Sequence, residues 1–160
     1  MILFNKIKLG GCIMDKTDII IISELQKNAR VSLKELAEKC FITSPAIAAR
    51  INRLETNGII KSYQAVVDLP KLNYNVKAFI RLQLDPTLEP QFYQFVRESK
   101  HVLQCDCVTG DYSQLIQVAF ENTGALDQFV NQVSQFGKTS TQIVFTTSID
   151  NRGPQLSQGE

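Results

Sequence analysis

Arginine and alanine side chains share one face of the stretch TSPAIAARINRLE, residues 43–55. At about 100° per residue in a helix, Ala46, Ala49 and Arg53 lie on that face, and Arg50 lies at its border. Alanine lets a backbone approach a groove closely and can contact a thymine methyl group, whereas arginine reaches phosphate or guanine. The pattern favours contact with double-stranded DNA, although an ordinary amphipathic helix would show part of it.

The residues around this face indicate where the helix begins and which side is buried. Thr43 and Ser44 are good N-cap residues because their hydroxyls accept hydrogen bonds from the first turn, and Pro45 fits that turn. The apolar positions recur at i, i+4 and i+7 on the opposite side, at Ile47, Ile51 and Leu54. The stretch therefore predicts a helix that buries one stripe and presents the alanine and arginine face outward.

Two further helices are predicted ahead of this one. The stretch DKTDIIIISELQKNAR, residues 15–30, combines an acidic first turn with apolar residues at helical spacing. Ser32 caps a second short helix, LKELAEKC, and Glu35 stands where a capping box requires it. A tight turn over 41–43 leads into the alanine and arginine helix. Two short helices joined in this way form a helix-turn-helix, whose second helix lies in the major groove.

The second half of the chain shows the strand and helix order βαββαβ. Its first strand, NVKAFIRLQLD, alternates apolar and polar residues, and its last strand is predicted over STQIVFTTSID, residues 140–150. This order is the ferredoxin-like pattern, a sheet with both helices on one face. The other face is partly apolar through Phe79 and Val144, so a second subunit is its simplest cover. The stretch IIKSYQAVVD, residues 59–68, is rich in β-branched residues and predicts one more strand.

These elements predict an α+β protein of two domains, an N-terminal helix-turn-helix of winged-helix-like type and a C-terminal ferredoxin-like domain. The predicted segments are an N-terminal tail over 1–13, the helix-turn-helix over 14–62, a linker strand over 63–74, the ferredoxin-like domain over 75–150 and a polar C-terminal tail over 151–160.

The composition is that of an ordinary globular protein. The chain has 160 residues, of which 44% are hydrophobic and 21% are charged, and its net charge is +1. This is not the charge of a strongly basic nucleic-acid binder. Contact with DNA would therefore need a local patch or two copies of a site in a dimer.

Cysteine usage and the first residues bear on the compartment. The cysteines lack metal-ligand spacing, which argues against a disulfide framework and for a reducing compartment, with the cytoplasm as the default. Cys105 and Cys107 are two apart in a strand, but two thiols do not supply the four ligands of a structural zinc site, so we expect no metal or cofactor.

Residues 1–13 lack the features of a signal peptide, and translation from Met14 is an open alternative. No apolar run approaches the roughly 20 residues of a membrane span.

With both halves in place, the chain resembles the Lrp/AsnC family of transcriptional regulators over about residues 14–150. The stretches that carry the resemblance are DKTDIIIISELQKNAR, SLKELAEKC, ITSPAIAARINRLETNGIIKSYQAVVD and VTGDYSQLIQV. The resemblance implies a DNA-binding protein that forms a homodimer through its C-terminal domain, often assembles into octamers and senses amino acids. The family's DNA-reading segment corresponds to Thr43, Ser44, Pro45, Ala46, Ala49, Arg50 and Arg53.

The same resemblance implies an effector site in the second half. In members that bind amino acids, the turn between the middle strands reads Gly-x-Tyr/Phe-Asp, and a Thr-x-Thr pair opens the last strand. The corresponding residues here are Thr109, Gly110, Asp111, Tyr112, Ser113, Thr139 and Thr141. Ser113 departs from the family's aspartate and offers a ligand ammonium only a neutral hydroxyl. Asp111 is adjacent, but it would point to the opposite face if the strand continued through this turn.

Two other functions fit parts of the pattern. Siroheme decarboxylases resemble this family in both halves, but general acid-base chemistry needs gathered titratable groups, and the chain has one histidine and no obvious carboxylate pair. RNA-binding domains of the same βαββαβ topology stack bases on aromatic residues of the middle strands. The stretch QLIQVAF has no such aromatic pattern, so transcriptional regulation without enzyme activity is the leading interpretation.

Overall fold

The computed structural model describes residues 7–9, 12–150 and 152–156. The α-helices are α1 (Lys16–Lys27), α2 (Leu33–Cys40), α3 (Ser44–Thr56), α4 (Glu89–Glu98) and α5 (Thr123–Ser134). The strands are β1 (Ile7–Leu9), β2 (Cys12–Met14), β3 (Val76–Leu84), β4 (Val102–Cys107), β5 (Gln114–Phe120) and β6 (Gly137–Ile143). Single-turn 3₁₀ helices occupy Pro70–Leu72 and Pro86–Leu88. No helix in these ranges combines the length and the apolar character that crossing a membrane requires.

The chain forms two compact units, and the first contains the helix-turn-helix. It comprises the described residues up to Val66 together with those from Ile149 onwards. Its core is built from the apolar stripes of α1, α2 and α3, with Ile21, Leu36, Ile47 and Leu54 fully buried. Leu156 packs against the same core, so the segment after 149 is part of this unit.

The second unit, residues 67–148, contains an antiparallel sheet of strand order β4-β5-β3-β6. This order, with α4 and α5 in the two crossovers, is the predicted ferredoxin-like arrangement. Alternate residues of β3 and β5 point towards the helices, among them Ile80, Leu82, Ile116 and Val118, and they form the core with helix residues such as Phe92 of α4. The α+β class and the two-part architecture are therefore as predicted.

The register of the sheet defines its second face. Arg81 of β3 pairs with Leu115 of β5 on one side and with Ser140 of β6 on the other. Directly opposite residues of paired strands share a face, so this face also carries Phe79, which pairs with Gln117 and Gln142. Both Phe79 and Leu115 are half-buried, which leaves this face partly apolar, as predicted.

Three local predictions were wrong. Residues 59–68 form no strand, because β-branched composition makes a strand only where another backbone pairs with it, and no described segment does so. The last strand runs over 137–143 rather than 140–150, since its pairing with β3 extends from Gly137, opposite Leu84, to Ile143, opposite Ala78. The predicted tail over 1–13 contains β1 and most of β2, which pair antiparallel.

Candidate nucleic-acid interface and effector pocket

The helix α3 begins as its sequence predicts. The Thr43 side-chain oxygen accepts a hydrogen bond from the Ala46 N–H at 3.4 Å, and Pro45 lies in the first turn. Ile47 and Leu54 are fully buried, which fixes the rotation of the helix about its axis. Ala49 and Arg53 are consequently exposed on the opposite side.

The preceding helix and turn set where α3 starts. Ser32 and Glu35 form the predicted capping box, with the Ser32 Oγ accepting from the Glu35 N–H at 3.1 Å and the Glu35 carboxylate accepting from the Ser32 N–H at 2.9 Å. The helix α2 ends at Phe41, whose backbone is left-handed with φ 55°. A turn of this kind places α3 directly after α2, as in a helix-turn-helix.

The two arginines of α3 are bound to carboxylates at the start of α1. Asp18 is completely buried, and its Oδ1 and Oδ2 accept hydrogen bonds from Arg50 Nη1 at 2.9 Å and from Arg53 Nη2 at 2.6 Å. Arg50 Nη1 also donates to both carboxylate oxygens of Asp15, at 2.8 and 2.7 Å. Asp15 and Asp18 cap α1 reciprocally, so one network joins the first turn of α1 to the middle of α3.

The electrostatics of this network favour its charged form. Burial raises the pKa of the Asp15 carboxyl, but the hydrogen bonds from Arg50 and from the Asp18 N–H outweigh it and hold that pKa below its usual 3.8. Burial lowers the pKa of the Arg50 guanidinium, but the bonds to the two carboxylates raise it above its usual value. Both groups therefore stay ionised near neutral pH.

The predicted DNA-reading residues consequently fall into two groups. Arg50 is turned towards α1, and 27% of its side chain is exposed, whereas the Arg53 side chain is 48% exposed while contacting Asp18. The small and capping residues lie on the surface or half-buried at the N-terminal end of α3: Thr43, Ser44, Pro45, Ala46 and Ala49. The structure thus brings all seven residues onto one helix, and their contact with DNA stays a prediction.

Part of the predicted effector site lies in a pocket of the second unit. The pocket has a volume of about 310 Å³ and is lined by Gln83, Asp111, Tyr112 and Lys138. The strand β5 begins only at Gln114, so strand alternation does not extend to Asp111, and both Asp111 and Tyr112 line the pocket.

Contacts with β3 hold the neighbouring residues Tyr112 and Ser113 in place. The Arg81 guanidinium carbon lies 4.9 Å from the centroid of the Tyr112 ring, and Arg81 Nη2 donates to Ser140 Oγ at 2.9 Å. Ser113 Oγ accepts from the Leu84 N–H at 3.2 Å. The hydroxyl that replaces the family's aspartate is therefore engaged with the backbone of the neighbouring strand.

The other predicted effector residues lie elsewhere. Thr139 and Thr141 are opposite Leu82 and Ile80, whose side chains point to the helices, and Thr139 Oγ1 lies 3.1 Å from Ser134 Oγ of α5. Tyr112 contacts Arg81 on the opposite face of the sheet. Thr109 and Gly110 are exposed in the turn and do not line the pocket. One copy of the chain therefore does not gather all seven predicted residues around one cavity.

Sequence reasoning missed the acidic partners of the arginines and the lysine of the pocket. The sequence shows Asp15 and Asp18 as an acidic first turn, and their spacing of three residues matches that of Arg50 and Arg53, which is the signal that could have paired them. Gln83 and Lys138 are opposite each other on β3 and β6, and this pairing becomes visible only with the register of the sheet.

The cysteines of β4, Cys105 and Cys107, are not part of a metal-ligand cluster among the described residues. Burial raises the pKa of the Cys105 thiol to about 11, so that it stays protonated, and Cys107 is exposed. Within the described ranges no three histidine, cysteine, aspartate or glutamate side chains gather in a way that could hold a metal ion.

A helix-turn-helix and a separate ferredoxin-like unit with a charged pocket define a class of proteins that combine DNA binding with ligand binding. Comparison with known families gives the same division. Residues 14–61 match the family described as winged helix-turn-helix DNA-binding, and residues 77–154 match the Lrp/AsnC ligand binding domain.

Individual relatives specify the family. The regulator LrpA of Bacillus subtilis is 32% identical over 132 residues, which are 82% of this chain and 97% of LrpA. The structure of B. subtilis LrpC has a TM-score of 0.81 at 27% identity and covers 86% of this chain and 99% of LrpC. The regulator NMB0573 of Neisseria meningitidis, solved as its L-Met complex, has a TM-score of 0.80 at 30% identity and covers 87% of this chain and 94% of that one. The chain belongs to the Lrp/AsnC family and is a helix-turn-helix transcriptional regulator with a ligand-binding domain.

Proposed function

We propose that the N-terminal half of α3 enters the major groove of duplex DNA, with two copies presented by a two-fold dimer. The observation that supports this is the surface of α3, where the small side chains of Ala46 and Ala49 lie beside the capped first turn. No long side chain stands on these positions, so the backbone of α3 can approach base edges closely. Two copies would double a contact surface that is small in a chain of net charge +1.

The two arginines take different roles in this proposal. Arg50 donates to Asp15 and Asp18 and is a positioning residue that holds α3 against α1. Arg53 donates a hydrogen bond to Asp18 and has a half-exposed side chain, so it can also reach a phosphate or a base. Direct reading of DNA then rests on the surface of Thr43, Ser44, Ala46 and Ala49, with Arg53 at its end.

The substitution Ala49→Glu tests this placement. A glutamate in the groove faces the phosphates, and like-charge juxtaposition costs several kcal/mol, so we expect at least about tenfold weaker binding to a duplex selected with the wild-type protein. Gln26→Glu adds the same charge at an exposed position of α1 and is the matched control. Equal affinities of the Ala49→Glu variant and the control would contradict the placement of α3.

The pocket of the second unit supports a zwitterionic amino acid as effector. Its lining includes one acidic residue, Asp111, and one basic residue, Lys138, whose charges are opposite to those of the ammonium and carboxylate of such a ligand. Asp111 would thereby supply the negative charge that Ser113 lacks. The L-Met complex of the N. meningitidis relative supports the same ligand class.

Calorimetry against the standard amino acids tests the effector. We expect one or more of them to release or absorb heat and to raise the thermal midpoint, and Lys138→Met to abolish both effects. Lys100→Met removes an exposed lysine of the same unit away from the pocket and is the control. If millimolar ligand produced no heat and no change in the thermal midpoint, that result would contradict an amino-acid effector.

The second face of the sheet supports a homodimer, which further contacts could assemble into an octamer. Phe79 and Leu115 are half-buried there, and Arg81 Nε is buried without a hydrogen-bond partner in the described part of the chain. A second sheet would cover the apolar side chains and could supply an acceptor. Light scattering at low and high protein concentration measures this, and a strictly monomeric mass would contradict it.

We propose that regulation, and not catalysis, is the whole activity of the chain. LrpA and LrpC of Bacillus subtilis, which this chain matches over 97% and 92% of their length, are named as transcriptional regulators. Tetrapyrrole absorption in the purified protein would instead favour the decarboxylase alternative.

A further inference from the structure

The turn between α2 and α3 holds an aromatic residue in two unfavourable situations. Phe41 is the C-cap of α2 with φ 55° and ψ 39°, and 94% of the residue is exposed. Glycine and asparagine adopt this left-handed conformation readily, whereas a bulky residue adopts it at a cost. The exposed ring also leaves its apolar surface in water. Among the described residues of the first unit, no contact that offsets either cost is seen.

The backbone around Phe41 fixes the direction in which the ring projects. Its N–H donates to the carbonyls of Ala37 and Glu38, which closes the end of α2. The next residue, Ile42, is half-buried against the core of the first unit, and Thr43 caps α3. The ring is therefore held outside the core, two residues ahead of the N-cap of the helix proposed to enter the groove.

We propose that Phe41 is a DNA-contacting residue, whose ring packs on thymine methyl groups or deoxyribose at the edge of the major groove. This inference rests on the proposed placement of α3. Apolar contact with a thymine methyl is one way in which phenylalanine reads DNA, and it adds contact surface without adding charge. Residues with unfavourable backbone angles are also found preferentially at functional sites, and Phe41 lies beside the proposed binding surface.

Two substitutions at this position separate the ring from the backbone strain. Phe41→Gly removes both, so we expect the thermal midpoint of the full chain to rise by a few degrees while DNA affinity falls. Phe41→Ala removes the ring and keeps the strain, so the midpoint should change little while DNA affinity falls by a similar factor. The loss expected in both variants is about threefold or more for a selected duplex, from partial burial of one ring in each copy.

The controls identify what contacts the ring. Asn73→Gly changes the other non-glycine residue with positive φ, in the second unit, and should leave DNA affinity unchanged. Unchanged affinity in both Phe41 variants, with wild-type binding intact, would overturn the inference and leave the placement of α3 standing. A change of molecular mass in light scattering would also overturn it, because the ring would then contact a second copy of the chain. Failure of the wild-type protein to select any duplex would overturn both proposals.

Discussion

The ion-pair network between α1 and α3 gives the sharpest quantitative prediction. Asp18 is fully buried and accepts hydrogen bonds from Arg50, from Arg53 and from the Asp15 N–H. The substitution Asp18→Asn removes the charge that the two guanidinium groups share and turns an amide N–H₂ towards one of them. The shape of the side chain is almost unchanged, so the effect on stability reports the charge.

The exposure of the arginines sets the magnitude. Removing one partner of a fully buried ion pair costs about 3–5 kcal/mol, whereas exposed pairs contribute about 0–1 kcal/mol. The Arg50 side chain is 27% exposed and that of Arg53 is 48% exposed, so both can be partly rehydrated when Asp18 loses its charge. We therefore expect the free energy of unfolding to fall by about 2–3 kcal/mol, between these two limits.

Urea denaturation of the full chain measures this change. Glu24→Gln is the matched control, because Glu24 pairs with Lys27 and Lys39, whose side chains are largely exposed, and its loss should cost less than about 1 kcal/mol. Arg53→Ala should also cost little stability, since Arg50 still neutralises Asp18. Equal destabilisation by Asp18→Asn and Glu24→Gln would refute the reasoning that burial gives this network its strength.

Two other predictions concern acid stability and one glycine. The pKa of Asp15 lies below 3.8 in the folded chain, and the hydrogen bonds from Lys27 and Lys39 lower the pKa of Glu24 from 4.5 to about 2. Both carboxylates thus stabilise the fold above their unfolded pKa values, and we expect unfolding midpoints in urea to fall as the pH drops from about 4.5 towards 2, less steeply in Asp15→Asn. Gly137 has φ +150°, and an added Cβ would lie 2.0 Å from the Gln83 carbonyl oxygen. We expect Gly137→Ala to cost about 3 kcal/mol or more, against about 1–2 kcal/mol for Gly110→Ala, where the φ is also positive but nothing lies within 4 Å. Urea midpoints of the two variants compare them, and equal values would show that the backbone contact is relieved at no cost.

Local signals predicted the helices well because the causes are local. The caps at Ser32 and Thr43 lie within three residues of the amides that they bind, so they are visible in the sequence. The period of two in β3 likewise follows from burial of one face alone. The strand predicted over 59–68 failed because pairing requires a second backbone, which composition does not reveal.

The candidate sites were less predictable, because their geometry depends on distant residues. Arg50 and its partner Asp15 are 35 positions apart, and only the packing of α3 on α1 shows that this arginine points inward. The pocket likewise brings together Asp111 and Lys138, which are far apart in the sequence, and the sheet register places Lys138 opposite Gln83. Helix periodicity placed Arg50 at the border of the exposed face, but it did not reveal which groups it would bind.

In the proposed complex, α3 enters the major groove in two symmetry-related copies. Methylation of guanine N7 on a selected duplex tests this most directly, because N7 is reached only from the major groove. We predict that the protein protects two half-sites, whose centres lie one helical turn or a multiple of it apart. Methylation of guanine N7 within either half-site should weaken binding. Binding that is insensitive to N7 methylation, or protection of a single site, would contradict the account.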